Sequence, residues 1–162
     1  MLSTAIQDAV NEQINHEFAS AYLYLSMSAY CESINLTGFA HWMRVQNHEE
    51  VAHAMKLFDF VNDRGGRVVL QAIEEPKGEF ASPLAIFEEA LEHEQEVTSK
   101  VHQIYALAIN ENDYATQIEL QWFIAEQVEE EKMIGKIVAQ LKLVGSQGTP
   151  LFMMDRQLAA RE

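Results

Sequence analysis

The chain has little cysteine, proline or glycine. Its 162 residues include one cysteine, three prolines and seven glycines. A single thiol cannot form an internal disulfide or a four-cysteine metal site, so we expect a reducing compartment, the cytoplasm. The few prolines and glycines cluster between long uninterrupted stretches, which is typical of a protein built from long helices.

Basic residues are also scarce. Eleven lysines and arginines stand against 25 aspartates and glutamates, which gives a formal net charge of −14 at pH 7. Such a charge repels nucleic acid and anionic membranes, and it attracts cations. Because the sequence shows no signal peptide and no apolar stretch of membrane-spanning length, we expect a soluble protein with no nucleic-acid or membrane partner.

Helical periodicity dominates the chain and predicts an all-α fold. A hydrophobic content of 48% is enough for one well-packed domain that comprises residues 1–162. The predicted helices extend from Thr4 to about Glu32, from Gly38 to Gly65, from Pro83 to Asn110, from Asp113 to Val144, and from Leu151 to about Ala160.

The lengths of the connections predict how the helices are arranged. The breaks near Asn35 and Asn112 are short, so each joins two helices into an antiparallel hairpin. The connection 67–82, in which we expect a short extended piece at 68–70, can span roughly 50 Å and can cross the whole bundle. The sequence therefore predicts a four-helix bundle with one long crossover between helices two and three and a short C-terminal fifth helix.

Glu50 and His53 lie one helical turn apart on a predicted apolar face that also carries Met43 and Leu57. Both polar side chains therefore point into the core, where a charged group is costly unless it is paired, hydrogen-bonded or bound to metal. For this pair alone, a simple alternative is that the two side chains satisfy each other or a buried water.

Further carboxylates interrupt the apolar stripes of the other long helices. In an antiparallel hairpin, residues that are equally far from the turn lie at the same height. Glu17 is therefore level with Glu50 and His53 in the first hairpin, and Glu94 is level with Glu130 in the second. The parallel second and third helices bring both groups to one height. Four carboxylates at one level of a core repel one another unless cations neutralise them, so the pattern indicates a buried metal site.

These residues resemble the ferritins, specifically the non-haem ferritins of bacteria, over essentially the whole chain. A glutamate from two helices and Glu-x-x-His from others is the known ligand pattern of ferritin-like di-iron proteins. The resemblance implies an iron store with ferroxidase activity, in which O₂ or peroxide oxidises Fe(II) at a di-iron centre in each subunit. It also implies storage of Fe(III) as a mineral inside a 24-subunit hollow shell.

The resemblance also implies roles for individual residues. The ligands of the first iron would be Glu17, Glu50 and His53, with Glu50 bridging to the second iron, whose ligands would be Glu94 and Glu130 with Gln127 beside them. An additional acidic iron site is implied at Glu49, Glu126 and Glu129, together with Glu130. Tyr24 occupies the place of the family's nearby tyrosine, and Trp122 occupies that of an aromatic residue close to the centre.

Several of these residues also have simpler interpretations. Glu126 and Glu129 could belong to a solvated helix face, since glutamates crowd this part of the chain. Tyr24 could be a core residue whose hydroxyl is satisfied by a hydrogen bond.

The chain differs from other ferritin-like proteins at informative positions. Bacterioferritins repeat Glu-x-x-His on the fourth helix, where this chain has Gln127-Val128-Glu129-Glu130, and their haem-binding methionine falls on Val51. We therefore expect no haem. The acidic three-fold pore positions of catalytic animal ferritins fall on Gln117 and Leu120, so the resemblance does not supply an iron entry route.

Two other classes of function are also compatible with the sequence. A bundle or cage could bind divalent metal with the same ligands but without turnover, and Fe(II)-dependent oxygen uptake distinguishes this from a ferroxidase. A purely structural bundle that acts by protein contact would bind no stoichiometric metal.

The fifth helix is too apolar to be free in water, since it contains Leu151, Phe152, Met153, Met154 and Leu158. A closed bundle of four long helices leaves little room for a fifth. We therefore expect this helix to pack against a neighbouring subunit, and the resemblance to ferritins implies that four such helices meet at a four-fold axis of the shell.

Overall fold

The computed structural model describes residues 2–145 and 148–162. Within these residues the helices are α1 Thr4–Ser33, α2 Thr37–Asp63, α3 Pro83–Asn110, α4 Tyr114–Val144 and α5 Thr149–Leu158. The all-α prediction is confirmed, and the expected extended piece at 68–70 forms no strand. None of the described helices is both long and apolar enough to cross a lipid bilayer.

Local sequence signals explain where the helices begin and where the chain turns. At α1, α3 and α4 the side chain just before the helix accepts a hydrogen bond from the backbone N–H three positions later, and these residues are Ser3, Ser82 and Asp113. Both hairpin turns contain an asparagine with positive φ, Asn35 at 61° and Asn112 at 56°. Asparagine tolerates this left-handed conformation better than most residues, so the chain can reverse within a few positions.

The long connection between α2 and α3 lies along α1. Near the start of α1, the Asn11 side chain donates to the Arg67 carbonyl oxygen at 3.0 Å and accepts from the Val69 amide at 3.1 Å. Near the end of α1, the Tyr30 hydroxyl donates to the Phe80 carbonyl oxygen at 2.6 Å. The chain therefore returns to the end of the bundle where α2 began, and the predicted long crossover with α3 parallel to α2 is confirmed.

Two apolar clusters form the core, and the buried polar residues lie between them. One cluster contains Met27, Phe39, Phe87 and Ile134 among others, and the second contains Ile14, Leu57, Val97 and Phe123 among others. On every long helix the buried carboxylates fall between its residues in one cluster and its residues in the other. The fold therefore encloses a polar layer at mid-height with apolar packing on both sides.

The position of α5 differs from the sequence expectation. Leu151, Met154 and Leu158 are buried in the apolar cluster of their own bundle, so the prediction that these residues need a neighbouring subunit is wrong. Of the five apolar residues that the sequence singles out in this helix, only Phe152 and Met153 stay exposed, at 63% and 67% of their surface. The closed bundle has no room inside for α5, but the helix packs across the outside of α2 at its first turn.

A glycine and an aspartate allow this packing. A Cβ atom on Gly38 would lie 1.7 Å from the carbonyl oxygen of Asp155, so any larger residue would separate the two helices. The Asp155 carboxylate accepts from the Gly38 amide at 2.8 Å and from the Phe39 amide at 3.0 Å. Because Leu36, the residue before α2, supplies no capping side chain, α5 provides the cap instead.

We predict that Gly38→Ala displaces α5 from the bundle. Hydrogen exchange of the backbone amides in residues 151–158 should become faster, because the added methyl group cannot fit beside Asp155. Gly135→Ala in α4 is the matched control, since nothing lies within 4 Å of the added Cβ. That substitution should stabilise the protein by about 1 kcal/mol. Unchanged exchange in Gly38→Ala would contradict the described docking.

Candidate metal centre

One group of potential ligands joins α1 and α2. Glu17, Glu50 and His53 are buried, and each offers a ligand atom within 4.8 Å of the other two. The Nδ1 atom of His53 lies 3.5 Å from Oε2 of Glu50. The structure thus brings together the three residues that the resemblance assigns to the first iron.

A second group shares the same histidine. His53, Glu126 and Glu130 also have ligand atoms within 4.8 Å of one another. The Nε2 atom of His53 lies 3.9 Å from Oε1 of Glu126, which is only partly buried. Sequence reasoning places Glu126 in the additional site alone, whereas in the structure the imidazole lies between this glutamate and Glu50.

Glu94 is held by two neighbours that the sequence also singles out. The Tyr24 hydroxyl of α1 donates a short hydrogen bond to Oε1 of Glu94, and Nε2 of Gln127 in α4 donates to Oε2 at 3.0 Å. Gln127 also donates to the Glu94 backbone carbonyl at 3.2 Å. Glu94 belongs to neither of the two close ligand groups, because its carboxylate is turned towards Tyr24 and Gln127.

Two further glutamines hold the ligand carboxylates, and sequence reasoning missed both. Nε2 of Gln13 donates to Oε1 of Glu17 at 2.7 Å, and Nε2 of Gln46 donates to Oε1 of Glu50 at 2.8 Å. Each glutamine precedes its glutamate by four residues, and residues four apart share a helix face. That spacing is the signal that could have found them.

Three buried oxygen atoms in this layer have no hydrogen-bond partner among the described residues. They are Oε2 of Glu17, Oε2 of Glu130 and Oε1 of Gln46. An unpartnered buried polar atom costs free energy, so such atoms in a native core call for an explanation. Carboxylate oxygens beside an imidazole are suitable ligands for a divalent transition metal.

The surroundings of these carboxyl groups favour their protonated form when no cation is present. Burial, and next the charge of Glu50, raises the pKa of Glu17 well above its usual value. Burial and the charge of Glu94 likewise raise the pKa of Glu50, and they raise the pKa of Glu130 to about 7. The pKa of the Tyr24 phenol is also raised, first by burial and then by Glu94.

The additional acidic residues line a pocket of about 560 Å³ beside this layer. Four glutamates and three basic residues face it, namely Glu49, Glu126, Glu129, Glu130, Lys132, Lys136 and Arg161. Nη2 of Arg161 lies 2.5 Å from Oε2 of Glu49. The structure therefore gathers the predicted acids, but it also brings in an arginine from the C-terminal end that no local sequence pattern points to.

The remaining predicted positions lie as follows. Trp122 packs edge-on against the His53 imidazole, with 5.4 Å between the ring centroids. Leu120 is buried in the core, and the Gln117 side chain donates to the Ala108 carbonyl oxygen at 3.1 Å. Neither Gln117 nor Leu120 contributes a carboxylate to a pore.

Comparison with known proteins identifies the family. The model of the ferritin-like domain matches residues 7–144. A bacterial non-heme ferritin from Staphylococcus saprophyticus is 42% identical over 161 residues, which cover 99% of this chain and 96% of that protein. The corresponding protein of Staphylococcus aureus is 38% identical over 161 residues, with coverage of 99% and 97%.

Solved structures agree with this result. An open-pore ferritin from the hyperthermophilic archaeon Archaeoglobus fulgidus is 51% identical, has a TM-score of 0.99 and matches all of both chains. A humanized archaeal ferritin is 50% identical with a TM-score of 0.99, and the match covers 100% of this chain and 98% of that one. As the resemblance of its buried carboxylates and histidine to the ferritin ligand pattern implies, the chain belongs to the ferritin family.

Proposed function

We propose that this ferritin, whose family stores iron, is a ferroxidase that oxidises Fe(II) at a di-iron centre inside each subunit. The observation that carries the proposal is a pair of buried carboxylate oxygens, Oε2 of Glu17 and Oε2 of Glu130, that have no hydrogen-bond partner among the described residues, in glutamates that each share a ligand group with His53. A bound cation would satisfy both oxygens and would also offset the repulsion between neighbouring carboxylates. The substrate is Fe(II), and the oxidant is O₂ or peroxide.

Glu17, Glu50 and His53 are proposed to bind the first iron. Their ligand atoms already lie close together, and Gln13 and Gln46 fix one oxygen of each glutamate. An oxygen held in this way has lost much of its freedom before the metal arrives, which lowers the entropic cost of binding.

Glu94 and Glu130 are proposed to bind the second iron, with Glu50 bridging the two ions. The charge of Glu94 raises the pKa of both other carboxyl groups, which supports their proximity. Gln127 keeps Glu94 oriented, and the Tyr24 hydroxyl is in direct hydrogen-bond contact with it. Tyr24 is therefore placed to exchange a proton or an electron with the centre.

Two adjacent Fe(II) ions allow O₂ to accept two electrons in one encounter. Each iron gives one electron and becomes Fe(III), and O₂ takes up two protons to form hydrogen peroxide. Because both electrons come from one site, no free one-electron product of O₂ is released. The Fe(III) ions then leave for the interior of a shell, where they hydrolyse to a mineral.

Glu49, Glu126 and Glu129, with Glu130, are proposed to bind a third iron in the adjoining pocket. The pocket opens to the surface and borders the buried layer through Glu130, and two of its lining residues, Glu126 and Glu130, share a ligand group with His53. This arrangement suits an ion in passage between the centre and the solvent.

The whole chain, residues 1–162, is proposed to act as one domain in a 24-subunit hollow shell in the cytoplasm. A hollow shell is what mineral storage requires. The exposed Phe152 and Met153 of α5 are the part of that helix left for a neighbouring subunit.

We predict that Glu50→Ala slows the initial oxidation of Fe(II) by about tenfold or more, since removal of an outer partner of a metal ligand alone commonly costs roughly 10- to 100-fold. Glu129→Ala, in the exposed part of the pocket, should have a much smaller effect. The measurement is oxygen consumption and absorbance after O₂ is admitted to anaerobic Fe(II) protein. Equal rates for wild type and Glu50→Ala would contradict the assignment, and Fe(II) binding without oxygen uptake would indicate a metal buffer.

Proton release should accompany metal binding. Because the pKa values of Glu17, Glu50 and Glu130 are raised, these groups carry protons that a cation must displace. We predict that calorimetry with Co(II) in buffers of different ionisation enthalpy detects more released protons at pH 6 than at pH 8. Glu130→Gln should remove the part of this change that is centred at about pH 7. A release that is independent of pH would contradict the burial argument.

Replacement of the exposed apolar residues of α5 should impair assembly without unfolding the subunit. We predict that the double variant Phe152→Glu and Met153→Glu yields smaller particles by light scattering and keeps its helical circular dichroism, because neither side chain lies in the core. Phe152→Tyr, which retains the ring, is the control. A wild-type protein that is monomeric or dimeric at neutral pH would contradict the storage shell.

A further inference from the structure

The C-terminal segment after α5 fixes one arginine side chain over α2. The Arg161 guanidinium lies 4.2 Å from the centre of the Trp42 ring, and its Nη1 donates to the Trp42 carbonyl oxygen at 3.4 Å. Nη2 donates to Oε2 of Glu49 at 2.5 Å, and Nε2 of His41 donates to the Arg161 carbonyl oxygen at 2.8 Å. Only 13% of the Arg161 side chain is exposed. This cation is therefore held by aromatic stacking, two hydrogen bonds from its side chain and one to its backbone.

The docking of α5 determines where this arginine lies. Leu158, three positions earlier, is buried in the apolar cluster, and Asp155 caps α2. Arg161 thus reaches the pocket from a segment anchored to the same helix that carries Glu49. The arginine is a fixed part of the pocket.

A second carboxylate of the same pocket, that of Glu130, is almost completely buried. Glu130 is 2% exposed, and its buried Oε2 has no hydrogen-bond partner among the residues that the structure describes. One carboxylate facing the pocket is therefore open to a cation, while another, Glu49, is already paired with Arg161. Burial raises the pKa of Glu130, and the positive charge of Arg161 acts in the opposite direction and lowers it.

We propose that Arg161 is a tethered cation that competes with the third metal ion for Glu49, so that this site binds iron weakly and passes it on. The inference rests on the proposed metal-binding function of the centre. Arg161 acts here as a positioning residue, because it contacts Glu49 and contacts none of Glu17, Glu50 or His53.

The competition follows from charge and geometry. A third ion that takes Oε2 of Glu49 must break the ion pair, and the guanidinium stays nearby because its stacking on Trp42 and its bond to the Trp42 carbonyl do not depend on Glu49. The retained positive charge then repels the bound metal. Arg161 should not compete for the ligands of the first site, because it pairs with Glu49 and is not a member of the group formed by Glu17, Glu50 and His53.

The test is an anaerobic titration of the metal-free protein with Co(II), followed by calorimetry and by the visible absorption of the bound ion. Wild type should bind two ions tightly and a third more weakly. Arg161→Gln should tighten the binding of the third ion by about two- to fivefold, the scale of one partly exposed ion pair, and leave the first two affinities unchanged. Arg161→Lys keeps the charge but loses the planar guanidinium. The affinity of this variant for the third ion should therefore lie between those of wild type and Arg161→Gln.

Arg156→Gln is the matched control, because it removes an equal charge from an exposed position of α5. It should leave all three affinities as in wild type. Circular dichroism establishes that each variant is folded, and if Arg161→Gln does not fold, Arg161→Lys decides the question through its third affinity. A third affinity that is unchanged or weakened in the folded Arg161 variants overturns the inference. Failure of wild type to bind the first two ions overturns the proposed function instead.

Discussion

The burial of several carboxylates at one level of an apolar core is the constraint on which the rest of the structure depends. Glu17, Glu50, Glu94 and Glu130 are 1–2% exposed, and apolar clusters lie both above and below them. Water cannot enter such a layer freely, so each oxygen must find a donor, a proton or a cation. The amides of Gln13 and Gln46 each donate to one oxygen of a glutamate on the same helix. Burial raises the pKa of Glu17 and of Glu50, so either a proton or a cation can satisfy these carboxyl groups.

The topology follows from the need to bring this layer together. Hairpins alone align α1 with α2 and α3 with α4, but they do not set the two pairs at a common height. The crossover does so, because its hydrogen bonds to Asn11 and Tyr30 carry it along α1 and start α3 at the same end as α2. Each carboxylate thereby lies at the same level as others from different helices.

Features that depend on spacing along one helix could be predicted from the sequence, whereas features that depend on distant residues could not. Helix bounds, the crossover and the polar level all follow from breaks and periodicity. The docking of α5 does not, because it needs a glycine at position 38 opposite Asp155, more than a hundred positions away. Gln13 and Gln46 are an intermediate case, since their spacing is visible but an amide four residues before a glutamate is common on solvated helices.

The C-terminal segment links the surface of the subunit to its metal pocket. Asp155 and Leu158 hold α5 on α2, Phe152 faces outwards, and Arg161 reaches Glu49 a few residues later. A displacement of this helix would move the exposed apolar face and the arginine together, because the turn after α5 ties them: the Arg161 amide donates to the Leu158 carbonyl oxygen at 3.3 Å. The contact between α5 and the first turn of α2 therefore sets both what a neighbouring subunit can touch and which cation faces Glu49.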